Sequence, residues 1–276
     1  MQKHHFLLRR LHSLTGVMPI GVFLLAHLTT NSSIVWGLID GARHPEGHAG
    51  AATFQHEVNF IHSLPFLLLI EIFGLWLPIA FHSILGIYYA RTGSSNTRLY
   101  PYADNWRYAL QRISGYIGVL FVFYHVATLR WGWTWLVPGG TRWTSEFAGS
   151  TLAAALQGST QGITAGGVVV GVFYMLGVSL LVFHLANGLW TAAITWGLTI
   201  TETAQKRWGV VCTGLGVALM AMAWSAVIGF MTLDYDAARR AELSLLKGHS
   251  APTAPQTDIV ADPADAPSRT VAHSER

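Results

Sequence analysis

The sequence predicts an all-α membrane protein with five transmembrane helices, and three observations carry this prediction. Of the 276 residues, 51% are hydrophobic and only 11% are charged, whereas a soluble domain carries about 25% charged residues. The apolar residues form long blocks, and a helix needs roughly 20 of them to cross a bilayer. Lipid offers no partner to an open backbone, so each block should be helical. The blocks are residues 14–38, 64–90, 109–129, 166–196 and 209–233.

The blocks differ in how clearly their length and charge predict a transmembrane helix. The first is too long for the apolar region of a signal peptide, so we expect it to be the first span. The second has 27 residues and one formal charge, Glu71. The third begins less sharply, because Arg112 and Ser114 lie in its first turns. We expect a five-helix domain over 1–236 and a disordered tail over 237–276, where Ala, Pro, Asp and Ser are frequent.

Two function classes are disfavoured by composition. The single cysteine, Cys212, excludes a disulfide framework and a cysteine-ligated iron–sulfur cluster held by this chain alone. The sequence has no cluster of basic residues interleaved with aromatic ones, so binding to nucleic acid is not expected.

Lysine and arginine in the short flanks predict the orientation. Nine lie on the side of the N-terminus and three on the opposite side, so the N-terminus should be cytoplasmic and, with five spans, the C-terminus outside. Five further basic residues in the tail argue the other way. The nine are Lys3, Arg9, Arg10, Arg91, Arg98, Arg107, Arg112, Lys206 and Arg207, against Arg43, Arg130 and Arg142.

Four histidines lie inside the apolar blocks, one in each of the first four: His27, His82, His125 and His184. Ionisable groups within a membrane are costly and usually face a bundle interior, where they are functional candidates. Glu71 lies eleven residues before His82, about three helical turns, so both should point the same way.

The sequences around these histidines repeat. Spans two and four share Phe-His-x-x-x-Gly, with Gly86 and Gly188 four residues after the histidine on the same helix face. Such a glycine leaves room for a large flat ligand, or for a close helix–helix contact. Spans one and three share a Thr/Ser-Gly step, Thr15-Gly16 and Ser114-Gly115.

The depths of the histidines predict two pairs. Odd spans run outward and even spans inward, and each histidine lies past the middle of its span. His27 and His125 should therefore be level in the outer half, and His82 and His184 in the inner half. Bis-imidazole ligation of two stacked haems b accounts for this arrangement. The first four helices would then form a bundle around the two haems.

Haem propionates need cationic or hydroxyl partners, and five residues at the inner helix ends are candidates. Positive-inside anchoring explains the two arginines equally well. The candidates are Arg10, His12, Ser13, Arg112 and Ser114.

The chain resembles the cytochrome b anchor subunit of succinate:quinone oxidoreductases, and four segments carry the resemblance: residues 9–28, 62–90, 105–115 and 123–125. The type it resembles has one five-helix chain and two haems b, and fumarate reductases also have this type. The resemblance covers about 5–235 and implies a bacterial plasma membrane location. It implies a flavoprotein and an iron–sulfur subunit on the cytoplasmic face, and a higher oligomer of the complex is left open. Electrons would pass through the inner and then the outer haem to a membrane quinone, commonly menaquinone.

One departure concerns the fourth span. Some fumarate reductases of this type carry a proton-conducting glutamate two residues before the histidine, and Val182 stands there. Glu71, expected at the depth of the outer haem, is our candidate for proton exchange with the quinone; a structural hydrogen bond is the other interpretation.

Three other functions share part of this pattern. The first is a quinol-oxidising fumarate reductase subunit. The second is the cytochrome b of a nitrate reductase, formate dehydrogenase or hydrogenase, which places its histidines differently. The third, from another class, is a histidine-relay transporter without haem, which leaves the repeated motif and the level pairing unexplained.

Overall fold

A computed structural model of the chain describes residues 4–39, 47–93 and 103–250. Within these ranges five helical segments are long and apolar enough to cross a membrane, which confirms the predicted spans. They are His5–Ile39, Leu67–Thr92, Asn105–Arg130, Ala165–Thr195 and Glu202–Thr232.

Ten α-helices make up the described chain, and three of them lie between or after the spans rather than within them. In chain order they are α1 His5–Thr15, α2 Gly21–Trp36, α3 Ala49–Ser63, α4 Leu67–Glu71, α5 Leu77–Thr92, α6 Ala103–His125, α7 Ala148–Gln157, α8 Ala165–Thr195, α9 Glu202–Thr232 and α10 Tyr235–Ser250.

Three spans contain a π-helical turn: Gly16–Ile20, Ile72–Trp76 and Val126–Arg130. Pro19 lies inside the first and Pro78 just after the second. Proline lacks the N–H that an α-helix uses at that position, so the turn widens locally. The three π turns lie in the spans that carry His27, His82 and His125.

The spans pack as a bundle whose fifth member stands to one side of the histidines. Helix α8 packs against α6 and α9, α9 also packs against α2, and α1 packs against α5. A buried apolar cluster of Leu28, Val182, Leu219 and Ala223 joins α2, α8 and α9. The fifth span therefore supports the bundle without contributing a histidine to it.

Helices α3, α7 and α10 pack together at one end of the bundle, and we call them the helical cap. Glu242 of α10 is fully buried there (0% exposed). Its carboxylate accepts hydrogen bonds from the backbone N–H groups of Gly149 (2.7 Å) and Ser150 (2.9 Å) and from the Ser150 hydroxyl (2.5 Å). These N–H groups belong to the first turn of α7, where they have no acceptor within the helix and the carboxyl oxygens of Glu242 supply one.

The prediction of a disordered tail from residue 237 is wrong for its first part. Residues up to Ser250 are helical, and Ala238, Ala241 and Glu242 are buried in the helical cap. Composition could not predict this helix, because its burial depends on hydrogen bonds between Glu242 and α7, which is distant in the sequence. The rest of the predicted tail, 251–276, lies outside the described residues.

Candidate functional site

The structure brings the four membrane histidines together in two pairs, as their depths predict. The ring centres of His82 and His184 are 6.1 Å apart and the rings are nearly perpendicular, at 84°. Those of His27 and His125 are 5.7 Å apart at 87°. We call these the inner pair and the outer pair.

Both rings of the inner pair are oriented by carbonyl groups of neighbouring helices. Nδ1 of His82 lies 2.9 Å from the carbonyl oxygen of His12. Nδ1 of His184 lies 3.1 Å from the carbonyl oxygen of Gln111 and 3.1 Å from the Ser114 hydroxyl. An imidazole that donates its Nδ1–H in this way carries an unprotonated Nε2, the form that ligates a metal.

The Thr/Ser-Gly steps explain how these rings fit. A Cβ on Gly16 would lie 2.5 Å from Cε1 of His82, and a Cβ on Gly115 would lie 3.1 Å from Cε1 of His184. Each glycine therefore lets a ring from the next helix approach its backbone.

The glycines of the repeated motif have a related role. A Cβ on Gly86 would lie 3.2 Å from Nε2 of His12, and one on Gly188 would lie 3.4 Å from Nε2 of Gln111. Both glycines face polar side chains of neighbouring helices. Of the two interpretations of the motif, these contacts match close helix packing.

A buried polar network supports the backbone of His184. Asn187 donates to Oε1 of Gln111 (2.8 Å) and accepts from Nε of Arg107 (3.0 Å). The amide of Gln111 in turn donates to the carbonyl of His184 (3.0 Å). Arg107 also lies over the ring of Trp190, with its guanidinium carbon 3.8 Å from the ring centre. The network links α6 to α8 beside the inner pair.

Among the described residues, three buried polar atoms of α1 and α5 have no hydrogen-bond partner: Nε of Arg10, Nε2 of His12 and the hydroxyl of Tyr89. The ring of His12 stacks on His82 (centres 4.1 Å apart, 8°) and meets Tyr89 edge-on. Buried polar groups in proteins are nearly always paired, so the atoms of His12 and Tyr89 beside His82 are available to a polar group of a ligand.

The other propionate candidates are placed differently. Arg112 donates to the carbonyls of Ala90 and Gly93 (2.9 Å to the latter), so it caps the end of α5. Ser114 is buried against His184. Ser13 is half-buried in the last turns of α1.

The outer pair has a more aromatic environment. Phe23 stacks on His27, and the amide nitrogen of Asn31 is 3.4 Å from Nε2 of His27. Nδ1 of His125 lies 3.3 Å from the hydroxyl of Tyr174. An amide donor at Nε2 requires that nitrogen to be an acceptor, which is again the form that binds metal.

Glu71 does not contact either pair. Its carboxylate forms a salt bridge of 3.0 Å with Arg130 at the end of the third span, and the side chains are 23% and 55% exposed. The π turn Ile72–Trp76 separates Glu71 from His82. Because a π turn takes up one more residue than an α turn, the eleven-residue spacing no longer sets both side chains on one face.

Each pair has the spacing of two ligands on one metal. Imidazole nitrogens lie about 2 Å from a metal they ligate, so rings on opposite sides of one iron have centres roughly 6 Å apart. Among the described residues, no group of three or more His, Cys, Asp or Glu side chains could hold a metal ion. Two histidines are the number that a six-coordinate haem iron takes from protein.

The fold defines the class as a helical, multi-pass membrane protein, and the first four spans bring two pairs of histidine rings together. The chain is 34% identical over 226 residues to the succinate dehydrogenase cytochrome b558 subunit of Bacillus subtilis (strain 168), covering 82% of this chain and 97% of that protein. No protein-family profile and no solved structure matches the chain. The chain therefore belongs to the family of succinate dehydrogenase cytochrome b subunits.

Several residues around the pairs escaped sequence reasoning. Tyr89, Asn187 and Tyr174 carry no motif, and each contacts the pairs or their supports only because distant helices meet. The Thr/Ser-Gly steps were visible in the sequence as a repeat, but their contacts with His82 and His184 arise only where different spans meet.

Proposed function

We propose that the chain anchors succinate dehydrogenase in the membrane and holds two haems b, which carry electrons from the iron–sulfur subunit to a quinone. When bound, the haems supply one-electron transfer within the bilayer. The observation that carries this proposal is the presence of two pairs of nearly perpendicular imidazoles, with ring centres 6.1 Å and 5.7 Å apart, in a chain of this family.

In this proposal His82 and His184 hold the inner haem, and His27 and His125 hold the outer one. The carbonyls of His12 and Gln111 accept the Nδ1–H of the inner rings, which would leave Nε2 unprotonated and able to ligate the iron. Two protein ligands leave no open position on the iron, which favours electron transfer over oxygen chemistry.

The unpaired polar atoms at the inner pair suit the haem propionates. Arg10 and His12 remain candidates, and Tyr89 joins them because its hydroxyl is buried without a partner. Arg10 supplies a cation, which the carboxylates need inside protein. Ser114 instead supports the ring of His184, Arg112 supports the end of α5, and Ser13 stays a weaker candidate.

The orientation belongs to the same proposal. The excess of Lys and Arg in the flanks on the N-terminal side places that side in the cytoplasm of a bacterial cell, with the helical cap outside. The flavoprotein and iron–sulfur subunits would then dock beside the inner pair. Electrons would leave near the outer pair, to menaquinone in preference to ubiquinone.

Glu71 is proposed to exchange protons with the quinone. Its carboxylate is partly exposed and paired with Arg130, whose side chain is more exposed still, so a change in the protonation of Glu71 leaves no buried, uncompensated charge. Glu71→Gln should slow quinone reduction and leave both haem spectra unchanged. Glu202→Gln, which breaks an exposed salt bridge with Lys206 on another span, is the control. Turnover as fast as in the wild type would rule the role out.

The test of the dihaem proposal is a reduced-minus-oxidised spectrum with haem quantitation on the purified complex. Two haems b per chain are expected. His184→Ala should remove the inner haem alone, and His27→Ala the outer haem alone. One haem in the wild type would make one pair structural, and none would favour the histidine-relay transporter.

A further inference from the structure

Tyr174 of α8 stands beside the outer pair. Its hydroxyl lies 3.3 Å from Nδ1 of His125. The corresponding atoms of His82 and His184 each face a backbone carbonyl, and that of His184 also lies 3.1 Å from the Ser114 hydroxyl. With Nε2 directed at a metal, Nδ1 carries the proton, so His125 donates and the Tyr174 oxygen accepts.

The hydroxyl nearest to this contact along α6 is directed elsewhere. Thr128 donates to the carbonyl of Tyr124 at 2.8 Å and lies 3.3 Å from the carbonyl of His125, so it is bonded to the backbone of its own helix. The Tyr174 oxygen is therefore the side-chain acceptor that faces Nδ1 of His125.

Packing fixes the Tyr174 ring in this position. The residue is 6% exposed. Its ring meets Phe121 edge-on at 5.2 Å and Tyr124 at 6.3 Å, and Phe173 also contacts it. A phenylalanine would keep these contacts and lose only the hydroxyl, which separates the hydrogen bond from the packing.

We propose that Tyr174 is a positioning residue for the outer haem ligand His125, and that its hydroxyl tunes the reduction potential of that haem. This inference rests on the proposed outer haem. An acceptor at Nδ1–H makes the imidazole a stronger electron donor to the metal, which stabilises the oxidised iron and lowers the potential. Removing the acceptor should therefore raise the potential of the outer haem.

The experiment is a potentiometric titration of the haem spectra in purified complexes carrying Tyr174→Phe or Tyr124→Phe. Tyr124 is the matched control, because its hydroxyl donates to the carbonyl of Leu136 and not to a histidine. The outer haem is identified as the one that His27→Ala removes. With Tyr174→Phe we expect two haems and a threefold to tenfold change in the reduction equilibrium of the outer haem alone, a rise of about 30 to 60 mV for one electron.

Three results would overturn the inference about Tyr174: no shift in the outer haem, a fall in its potential, or an equal shift with Tyr124→Phe, which would assign the effect to packing. A wild-type complex without a haem that depends on His27 would instead refute the proposed function. The two failures are therefore distinguishable.

Discussion

Gly16 offers the sharpest test of the inner site, because a single methyl group added there meets a proposed ligand directly. The new Cβ of Gly16→Ala would lie 2.5 Å from Cε1, 3.0 Å from Nδ1 and 3.4 Å from Nε2 of His82. Carbon atoms pack at about 3.5–4.0 Å. The ring or the π turn must therefore move by about 1 Å.

The magnitude of this movement decides the outcome. Overpacking of a core costs about 1–3 kcal/mol, which a bundle of this size can tolerate without unfolding. A metal site, however, requires its ligands within about 0.5 Å of their positions. His82 also cannot withdraw freely, since Nδ1 is held by the carbonyl of His12 and the ring stacks on the His12 ring. We expect Gly16→Ala to assemble and to lose or severely perturb the inner haem while keeping the outer one.

The assay is haem content per chain with a redox titration of the purified complex. Gly214→Ala is the control, because nothing lies within 4 Å of its added Cβ, and it should retain both haems. Gly115→Ala should fall between the two, since its Cβ would lie 3.1 Å from His184 and a few tenths of an ångström would relieve it. A Gly16→Ala complex with both haems at wild-type potentials would refute the packing argument.

Two further predictions concern buried polar groups. Burial raises the pKa of the Glu242 carboxyl, against the hydrogen bonds from Ser150 and Gly149. A raised pKa in the folded state favours the protonated form, so this group's stabilisation is fully present below the unfolded value near 4.3 and is lost as pH rises through the folded value. In the wild type the apparent Tm should therefore fall as pH rises, and Glu242→Gln should make this fall smaller. Glu242→Ala should lower Tm at every pH, because it leaves N–H groups unpaired at a cost of about 1–3 kcal/mol in the free energy of unfolding. A Glu242→Gln profile that parallels the wild type would contradict this. Asn187→Ala should release Gln111 and broaden or shift the inner haem spectrum, with the outer haem as internal control; an unchanged spectrum would show that the network does not support the site.

The sequence by itself determined the spans and which histidines lie level with one another. Both follow from one-dimensional quantities, namely the length of apolar runs and the position of a residue along a run, because a bilayer fixes the length and direction of each helix. Depth alone therefore pairs His27 with His125 and His82 with His184, and the ring contacts in the structure join the same residues.

Only the tertiary structure decided the surroundings of the pairs and the end of the chain. The face to which Glu71 turns depends on a π turn, and the partners of Tyr174 and Glu242 come from helices distant in sequence. Sequence spacing predicts which side chains share a helix face only where the helix has a constant 3.6 residues per turn. Composition does not show which buried donor will meet which acceptor. Local pattern thus fixed which residues lie inside, and packing between helices decided what each of them touches.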